Sequence, residues 1–361
     1  MRAPVVVLLF SLAACGDVPD AIIDAASTID TAAASCLPAC ATNATCTGTT
    51  CACNAGFEGD GLTCTAIQHW NQIGSATIAL DLGNNRGFMA TGHAQHIYFA
   101  PVTDFGQTTT FRAFDVDTAI MSGRLSLPPG TQNDFEASGF GAIFVADRTG
   151  LFLMGDDGQR YDPTTDTWTD VPGYGNGPSG PSEFHRGESA GAWDGTSNTI
   201  LMVGGRDGSN TDQATAIRRN VDGTWANEPG ALPFTISNAI AYAPPTGGQI
   251  YVAGGNASDS NRRHLVVHTT GTSTWTVLPS APADLDRAIG MGHHVENGVT
   301  RIFVATPREL LFYNLTASAW DRRVDMPVVN ALAQVVMVEG VAHAMVRNGG
   351  VADVYELISI E

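Results

Sequence analysis

The sequence has no cysteine after Cys64, few charged residues and only a short apolar run at its amino terminus. All seven cysteines lie within the first 64 of 361 residues, so disulfides can form only in that part. Basic residues number 18 against 36 acidic ones, and the formal net charge of -18 argues against nucleic acid as a partner. The apolar run from Val5 to Leu12 is too short to span a bilayer.

The composition favours an all-β protein. Charged residues make up only 15% of the chain, whereas glycine occurs 40 times, a balance that suits short strands and tight turns better than surface helices. The hydrophobic fraction of 43% is sufficient for a large buried core.

The first residues have the pattern of an export signal, with a basic Arg2, the short apolar run and small residues before Cys15. The segment Leu12-Ala13-Ala14-Cys15 resembles the bacterial lipobox, which implies a signal peptide at 1–14 and a lipid on Cys15. An ordinary cleavable signal is the alternative. Lipidation of Cys15 would leave six cysteines, an even number, for pairing. Gly16 stands where some inner-membrane lipoproteins have aspartate, which favours the outer membrane.

Residues 15–35 are expected to form the lipidated amino terminus and a flexible tether, since 16–35 are small and acidic without a sustained apolar period. Fully extended, these twenty residues reach about 66–72 Å. A short alanine-rich helix is the alternative.

Residues 36–64 hold the other six cysteines in a segment too small for its own hydrophobic core. Spacing alone leaves fifteen pairings open. The Cys51-Ala52-Cys53 pair followed by Gly56-Phe57-Glu58-Gly59-Asp60-Gly61 resembles an EGF-like module, which implies the disulfides Cys36 to Cys46, Cys40 to Cys51 and Cys53 to Cys64. EGF-like modules that bind calcium have acidic residues before the first cysteine and an aromatic residue between the third and fourth cysteines. Neither is present here, so we expect a spacer without a metal ion.

Residues 65–361 contain an internal repeat. Apolar segments rich in β-branched residues predict one equivalent strand per copy. They begin at Ile97, Ile143, Ile200, Ile250, Ile302 and Val341. A second pattern places Tyr or His seven residues before Trp168, Trp275 and Trp320, with turn residues between them. This pattern predicts a hairpin that joins a third strand to an outermost fourth strand. RRNVDGTW, which ends at Trp225, is a looser copy.

The repeat resembles the kelch repeat, whose blades carry a diglycine and later Tyr and Trp residues; Gly204-Gly205 and Gly254-Gly255 match the diglycine. The resemblance implies a six-bladed β-propeller over 65–361. The last copy lacks its Trp strand, and the segment around Trp70 matches that strand, so we expect an amino-terminal outer strand to close the ring.

Candidate ligand-binding residues lie where each innermost strand of such a propeller would begin, at the mouth of the central channel. They are Arg86, Arg186, Asn238, Arg287 and Asn330. Guanidinium groups there would favour a carboxylate or a polyhydroxylated ligand. The alternative is that they tie adjacent blades together.

Two functions remain open at this stage. The first is non-catalytic recognition of carbohydrate or protein at the cell envelope. The second is a sugar-modifying enzyme of the sialic-acid isomerase type, with the arginines orienting a carboxylate and Glu188 or His185 moving protons. No cofactor is expected: the cysteine–tyrosine cross-link of kelch-like copper oxidases would need a cysteine beyond Cys64. His293 and His294 should point to opposite faces of a strand, which disfavours a metal site.

Overall fold

The computed structural model describes residues 36, 38–54, 57–66, 69–77, 88–101, 111–126, 143–154, 157–175, 189–206, 211–255, 261–285, 288–329 and 332–358. The predicted signal peptide, Cys15 and the tether lie outside them. Within these ranges, no helix has the length and apolarity needed to cross a membrane. Contacts divide the chain into two units, Met1–Ile67 and Gln68–Glu361.

The first unit consists of two short hairpins and three disulfides. Cys36, 9% exposed, is the one buried apolar side chain among its described residues, so the cross-links must supply most of its stability. The hairpins pair β1 (Ala44–Thr47) with β2 (Thr50–Cys53), and β3 (Phe57–Gly59) with β4 (Cys64–Ala66). The disulfides are Cys36–Cys46, Cys40–Cys51 and Cys53–Cys64, the pairs that the EGF-like resemblance implies.

The second unit is all-β with a propeller-like arrangement, and it contains four separate four-stranded antiparallel sheets. Each sheet follows chain order from its first to its fourth strand. The first sheet is β6 (Phe88–His93), β7 (His96–Pro101), β8 (Arg112–Asp115) and β9 (Ile120–Gly123). The second is β10 (Ile143–Ala146), β11 (Leu151–Met154), β12 (Asp157–Asp162) and β13 (Thr167–Gly175). The third is β14 (Ala190–Asp194), β15 (Thr199–Val203), β16 (Ala216–Arg219) and β17 (Trp225–Asn227). The fourth is β18 (Ala239–Tyr242), β19 (Gln249–Gly254), β20 (Leu265–Thr269) and β21 (Trp275–Val277).

The remaining strands form one eight-stranded sheet in the order β25-β24-β23-β22-β26-β27-β28-β5. Its two halves meet at a single parallel bridge between Gly290 and Val335. The predicted pairing of the Trp70 segment is confirmed, because β5 lies antiparallel to β28 with Trp70 opposite Leu357. The strands are β5 (Trp70–Thr77), β22 (Gly290–Glu296), β23 (Val299–Ala305), β24 (Glu309–Asn314), β25 (Ala319–Asp325), β26 (Ala333–Val338), β27 (Val341–Asn348) and β28 (Val351–Leu357).

For one copy of the repeat, the predicted equivalent strand is wrong. The segment from Ile143 is the first strand of its sheet, whereas the matching segments from Ile97, Ile200 and Ile250 lie in second strands. The true counterpart is β11, which begins at Leu151. Both segments are short and apolar, so local sequence could not distinguish them.

The hydrophobic cores lie between the faces of successive sheets. The first strands of the four separate sheets, together with β22 and β26, the first strands of the two halves of the eight-stranded sheet, contact one another in cyclic order, β6 to β10, β14, β18, β22, β26 and back to β6. One core joins the last half-sheet to the first sheet, with Met345 and Val354 packed against Phe99 and Phe114. The two ends of this unit are therefore held together by side-chain packing as well as by the pairing of β5 with β28.

Candidate functional site

A channel of about 1110 Å³ is lined by residues from all six first strands. Small side chains dominate this lining, because larger ones would fill the space between the strands. The alanines and glycines of the lining include Ala90, Gly92, Ala190, Ala192, Ala239, Ala241, Ala288, Gly290 and Ala333. Close packing of neighbouring first strands also needs these small residues: a Cβ on Gly92 would overlap the carbonyl of Met337.

One mouth of the channel holds Asn238, just before β18, with a backbone φ of 55°. The two diglycines support this segment. A Cβ on Gly204 would lie 2.4 Å from the carbonyl oxygen of Ile236, and one on Gly255 would lie 2.3 Å from that of Ser237. Both glycines also have positive φ, a backbone conformation that residues with a side chain rarely adopt. Glycine is therefore required at each position both by the close contact and by the backbone conformation. The diglycines thus position the segment that carries Asn238 into the channel.

The other mouth gathers the carboxyl ends of the first strands. His93, which ends β6, makes a 3.0 Å hydrogen bond through Nδ1 to the carbonyl of Asp147, just after β10. The guanidinium of Arg148 lies 5.4 Å from the ring centroid of Trp193 on β14. Glu339, in the turn after β26, also lines this end. Aromatic faces, hydrogen-bonding groups and both signs of charge therefore meet here.

Tyr242 and His293 form a half-buried polar pair at this mouth. The Tyr242 hydroxyl is hydrogen-bonded to Nδ1 of His293, and the rings stack with centroids 5.8 Å apart. Burial raises the pKa of Tyr242 and lowers the pKa of His293, so both groups are neutral at pH 7. The pair offers a ligand aromatic surface and hydrogen-bonding capacity without a net charge.

The histidine pair has the predicted geometry. His293 faces the channel, whereas the ring of His294 packs edge-on against Phe312 of β24. Across the described ranges, the one cluster of His, Cys, Asp or Glu compact enough for a metal ion is Cys36, Cys40 and Cys51. All three are in disulfides, so they offer no thiolate.

Of the five candidate ligand residues, the structure describes only Asn238, which lies in the channel lining; its role in ligand binding stays a prediction. Arg86, Arg186, Arg287 and Asn330 lie outside the described residues, as do His185 and Glu188. The sequence did not predict the opposite mouth. Trp193, Tyr242 and His293 each lie at or near the end of a first strand. This position could have indicated the mouth, but the sequence alone did not show which strands are first strands.

The sheets and their channel define an all-β protein of propeller-like architecture. The chain is similar to the solved "Structure of YjhT", with a TM-score of 0.55 and 10% sequence identity. The match covers 77% of this chain and 95% of the other. At this identity the similarity concerns the fold alone. No protein-family model matches the chain, and no curated protein matches it in sequence.

Proposed function

We propose that this protein is a lipid-anchored recognition module of the bacterial cell envelope, whose propeller binds a carbohydrate through the central channel. In this proposal Cys15 carries the lipid in the outer membrane, 15–35 form the tether and 36–64 form an EGF-like spacer. The membrane is contacted through the lipid anchor only.

The proposal includes a six-bladed, kelch-like ring. The eight-stranded sheet would then be two blades, β22 to β25 and β26 to β28 with β5, which touch at one parallel bridge. Cyclic contact among six first strands supports this division. A ring of this size explains why six strands contribute to one channel.

The observation that carries the functional proposal is the group formed by Trp193, Tyr242 and His293 at one mouth. Carbohydrates present apolar C–H faces, which pack on aromatic rings, and hydroxyls, which exchange hydrogen bonds with neutral polar groups. Because Tyr242 and His293 are neutral and half-buried, they suit an uncharged sugar ring better than an ion.

A glycan-binding screen of the mature chain carrying Cys15→Ser tests the proposal. Trp193→Ala should weaken glycan binding at least about tenfold, because it removes one of the aromatic surfaces that line the mouth. Trp225→Ala is the matched control, since Trp225 packs on the same core but lies on the outer strand β17. Equal binding by both variants, or no glycan bound by the unmodified channel, would overturn the carbohydrate assignment and leave a protein ligand as the alternative.

The same screen tests the enzymatic alternative. Each glycan that binds is incubated with the protein, and proton exchange at its anomeric centre is followed by NMR. Binding without exchange supports non-catalytic recognition. Catalysed exchange would contradict non-catalytic recognition and support an isomerase activity.

A further inference from the structure

Two arginines meet at one edge of the interface between the second and third sheets. Arg160 lies opposite Phe152 across β12 and β11, and Arg219 lies at the end of β16. Their guanidinium carbons are 5.8 and 5.1 Å from the centroid of the Phe152 ring, which is 1% exposed. Both cations therefore stack on one buried aromatic residue, at the border of an apolar core.

Arg219 interrupts the pattern of the repeat. It pairs with Trp225 on the outer strand, whereas Tyr161, His268 and Tyr313 hold this place opposite Trp168, Trp275 and Trp320. Those three rings pack against their tryptophans, with centroids 4.1 to 5.4 Å apart. In the third sheet alone among these four, a cation replaces an aromatic core residue.

One hydrogen-bond donor of Arg219 is left without a partner. Its Nε is buried, and no described residue accepts a hydrogen bond from it. The carboxylates of Asp147 and Asp222 interact with this guanidinium through their charge. Arg160 donates through Nη2 to the carbonyl and hydroxyl of Thr149, its hydrogen-bond acceptors within the described ranges. By contrast, Arg218 and Arg323 face the carboxylates of Glu228 and Glu309. A buried, unpaired donor on a cation is costly, and a bound ion or water is one way to satisfy it.

The arginines border a polar cavity of about 240 Å³ together with Thr149, Trp193 and Asn198. Asn198 accepts a hydrogen bond from Nε1 of Trp193 through Oδ1, so its amide NH₂ is left to donate. Asp147 also borders the cavity, and its Oδ1 accepts hydrogen bonds from Thr149 and Gly150 in its own loop. Among the residues that border the cavity, two guanidinium groups therefore accompany one carboxylate, and Oδ1 of that carboxylate is bonded within its own loop.

We propose that this cavity binds a sulfate or phosphate group, held by Arg160 and Arg219. Its donors come from separate segments, namely β12, β16 and the β14–β15 turn, which suits a tetrahedral oxyanion better than a planar carboxylate. The group could be a free ion or an ester on a glycan, because Trp193 and Asp147 also line the adjacent channel mouth. The oxyanion site itself does not depend on the channel's function.

Calorimetric titration of the mature Cys15→Ser chain with sodium sulfate and sodium phosphate tests the site. Arg219→Tyr restores the aromatic residue of the repeat, so it should fold as the parent does and bind the oxyanion at least about tenfold more weakly. Arg323→Gln removes one positive charge at a distant, exposed position and should bind as the parent does. Unchanged affinity in Arg219→Tyr, or no saturable binding by the parent, would overturn the proposal.

A second titration distinguishes the two sources of the oxyanion. N-acetylglucosamine 6-sulfate is compared with N-acetylglucosamine and with sulfate alone. Tighter binding of the sulfated sugar than of sulfate supports an ester on a glycan, whereas equal binding supports a free ion. Neutral glycans found in the screen should bind Arg219→Tyr normally, so failure of the oxyanion site and failure of the carbohydrate proposal give different results.

Discussion

The indole nitrogen of Trp70 donates a 2.9 Å hydrogen bond to the carbonyl of Asp325, 255 residues later in the chain. Trp70 belongs to the outermost strand of one half-sheet, and Asp325 ends the outermost strand of the other. The same bond recurs between other neighbouring sheets, from Trp168 to Leu125, Trp225 to Pro172 and Trp320 to Pro279. These four tryptophans therefore each hold an outer strand to the preceding sheet.

Loss of Trp70 should lower stability more than loss of a tryptophan that lacks the bond. Nε1 of Trp275 is buried and has no hydrogen-bond partner within the described part of the chain. We expect Trp70→Phe to reduce the free energy of unfolding by about 1 kcal/mol more than Trp275→Phe does. Urea unfolding of both variants measures the difference. Equal losses would mean that the indole hydrogen bond contributes nothing.

Gly290 permits the contact between the two halves of the eight-stranded sheet. A Cβ at this position would lie 2.1 Å from the carbonyl oxygen of Val335, and a backbone atom cannot move away as a flexible side chain can. Gly290→Ala should therefore destabilise the protein by about 1–3 kcal/mol. Gly123→Ala is the control, because a Cβ there meets no atom within 4 Å and should change stability by less than about 0.5 kcal/mol.

Glu228 connects the third and fourth sheets through a buried polar cluster. Its carboxylate is 2.9 Å from Nη1 of Arg218 and 2.9 Å from Nε2 of His268. Burial alone would raise the pKa of Glu228, but the hydrogen bonds from His268 and Gly271 and the charge of Arg218 lower it overall. The ionised form is therefore the one that the fold stabilises.

This shift predicts a pH-dependent contribution to stability. Since the pKa of Glu228 in the folded state is below its ordinary value of 4.5, the contribution is complete above that pH and is lost as the pH falls below it. Glu228→Ala should cost about 3–5 kcal/mol at pH 7, and the difference from wild type should shrink in more acidic solution. Denaturant unfolding at pH 7 and pH 3.5 measures both values. A difference that grows on acidification would contradict the assignment.

Cys15 offers a test of membrane anchoring that is independent of the propeller. Cys15→Ser should move the protein from the membrane fraction to the soluble fraction of bacterial cells, because a serine cannot receive the thioether-linked lipid. Labelling with a radioactive or clickable fatty acid should disappear in the same variant. Retention in the membrane fraction, or continued labelling, would show that Cys15 is not the anchoring residue and would contradict the lipobox interpretation.

Much of the fold could be predicted because it depends on patterns within a few residues. The Trp168, Trp275 and Trp320 hairpins were recognised from turn residues at fixed spacing, and all three join third to fourth strands. Arg219 escaped recognition because its hairpin is one residue shorter, which places Arg219 rather than Arg218 opposite Trp225. A fixed count of seven residues could not reveal that change of register.

The sequence by itself determined most of the strands, the repeat and the strand at Trp70 that pairs with β28. These features depend on the alternation of apolar and polar residues, on turn residues and on self-similarity, all of which are local properties of the sequence. Only the tertiary structure decided which side chains share a mouth of the channel. Tyr242 and His293 are 51 residues apart, and Arg160 and Arg219 reach Phe152 from different sheets. Such contacts depend on how neighbouring sheets pack face to face, and no local pattern encodes that packing.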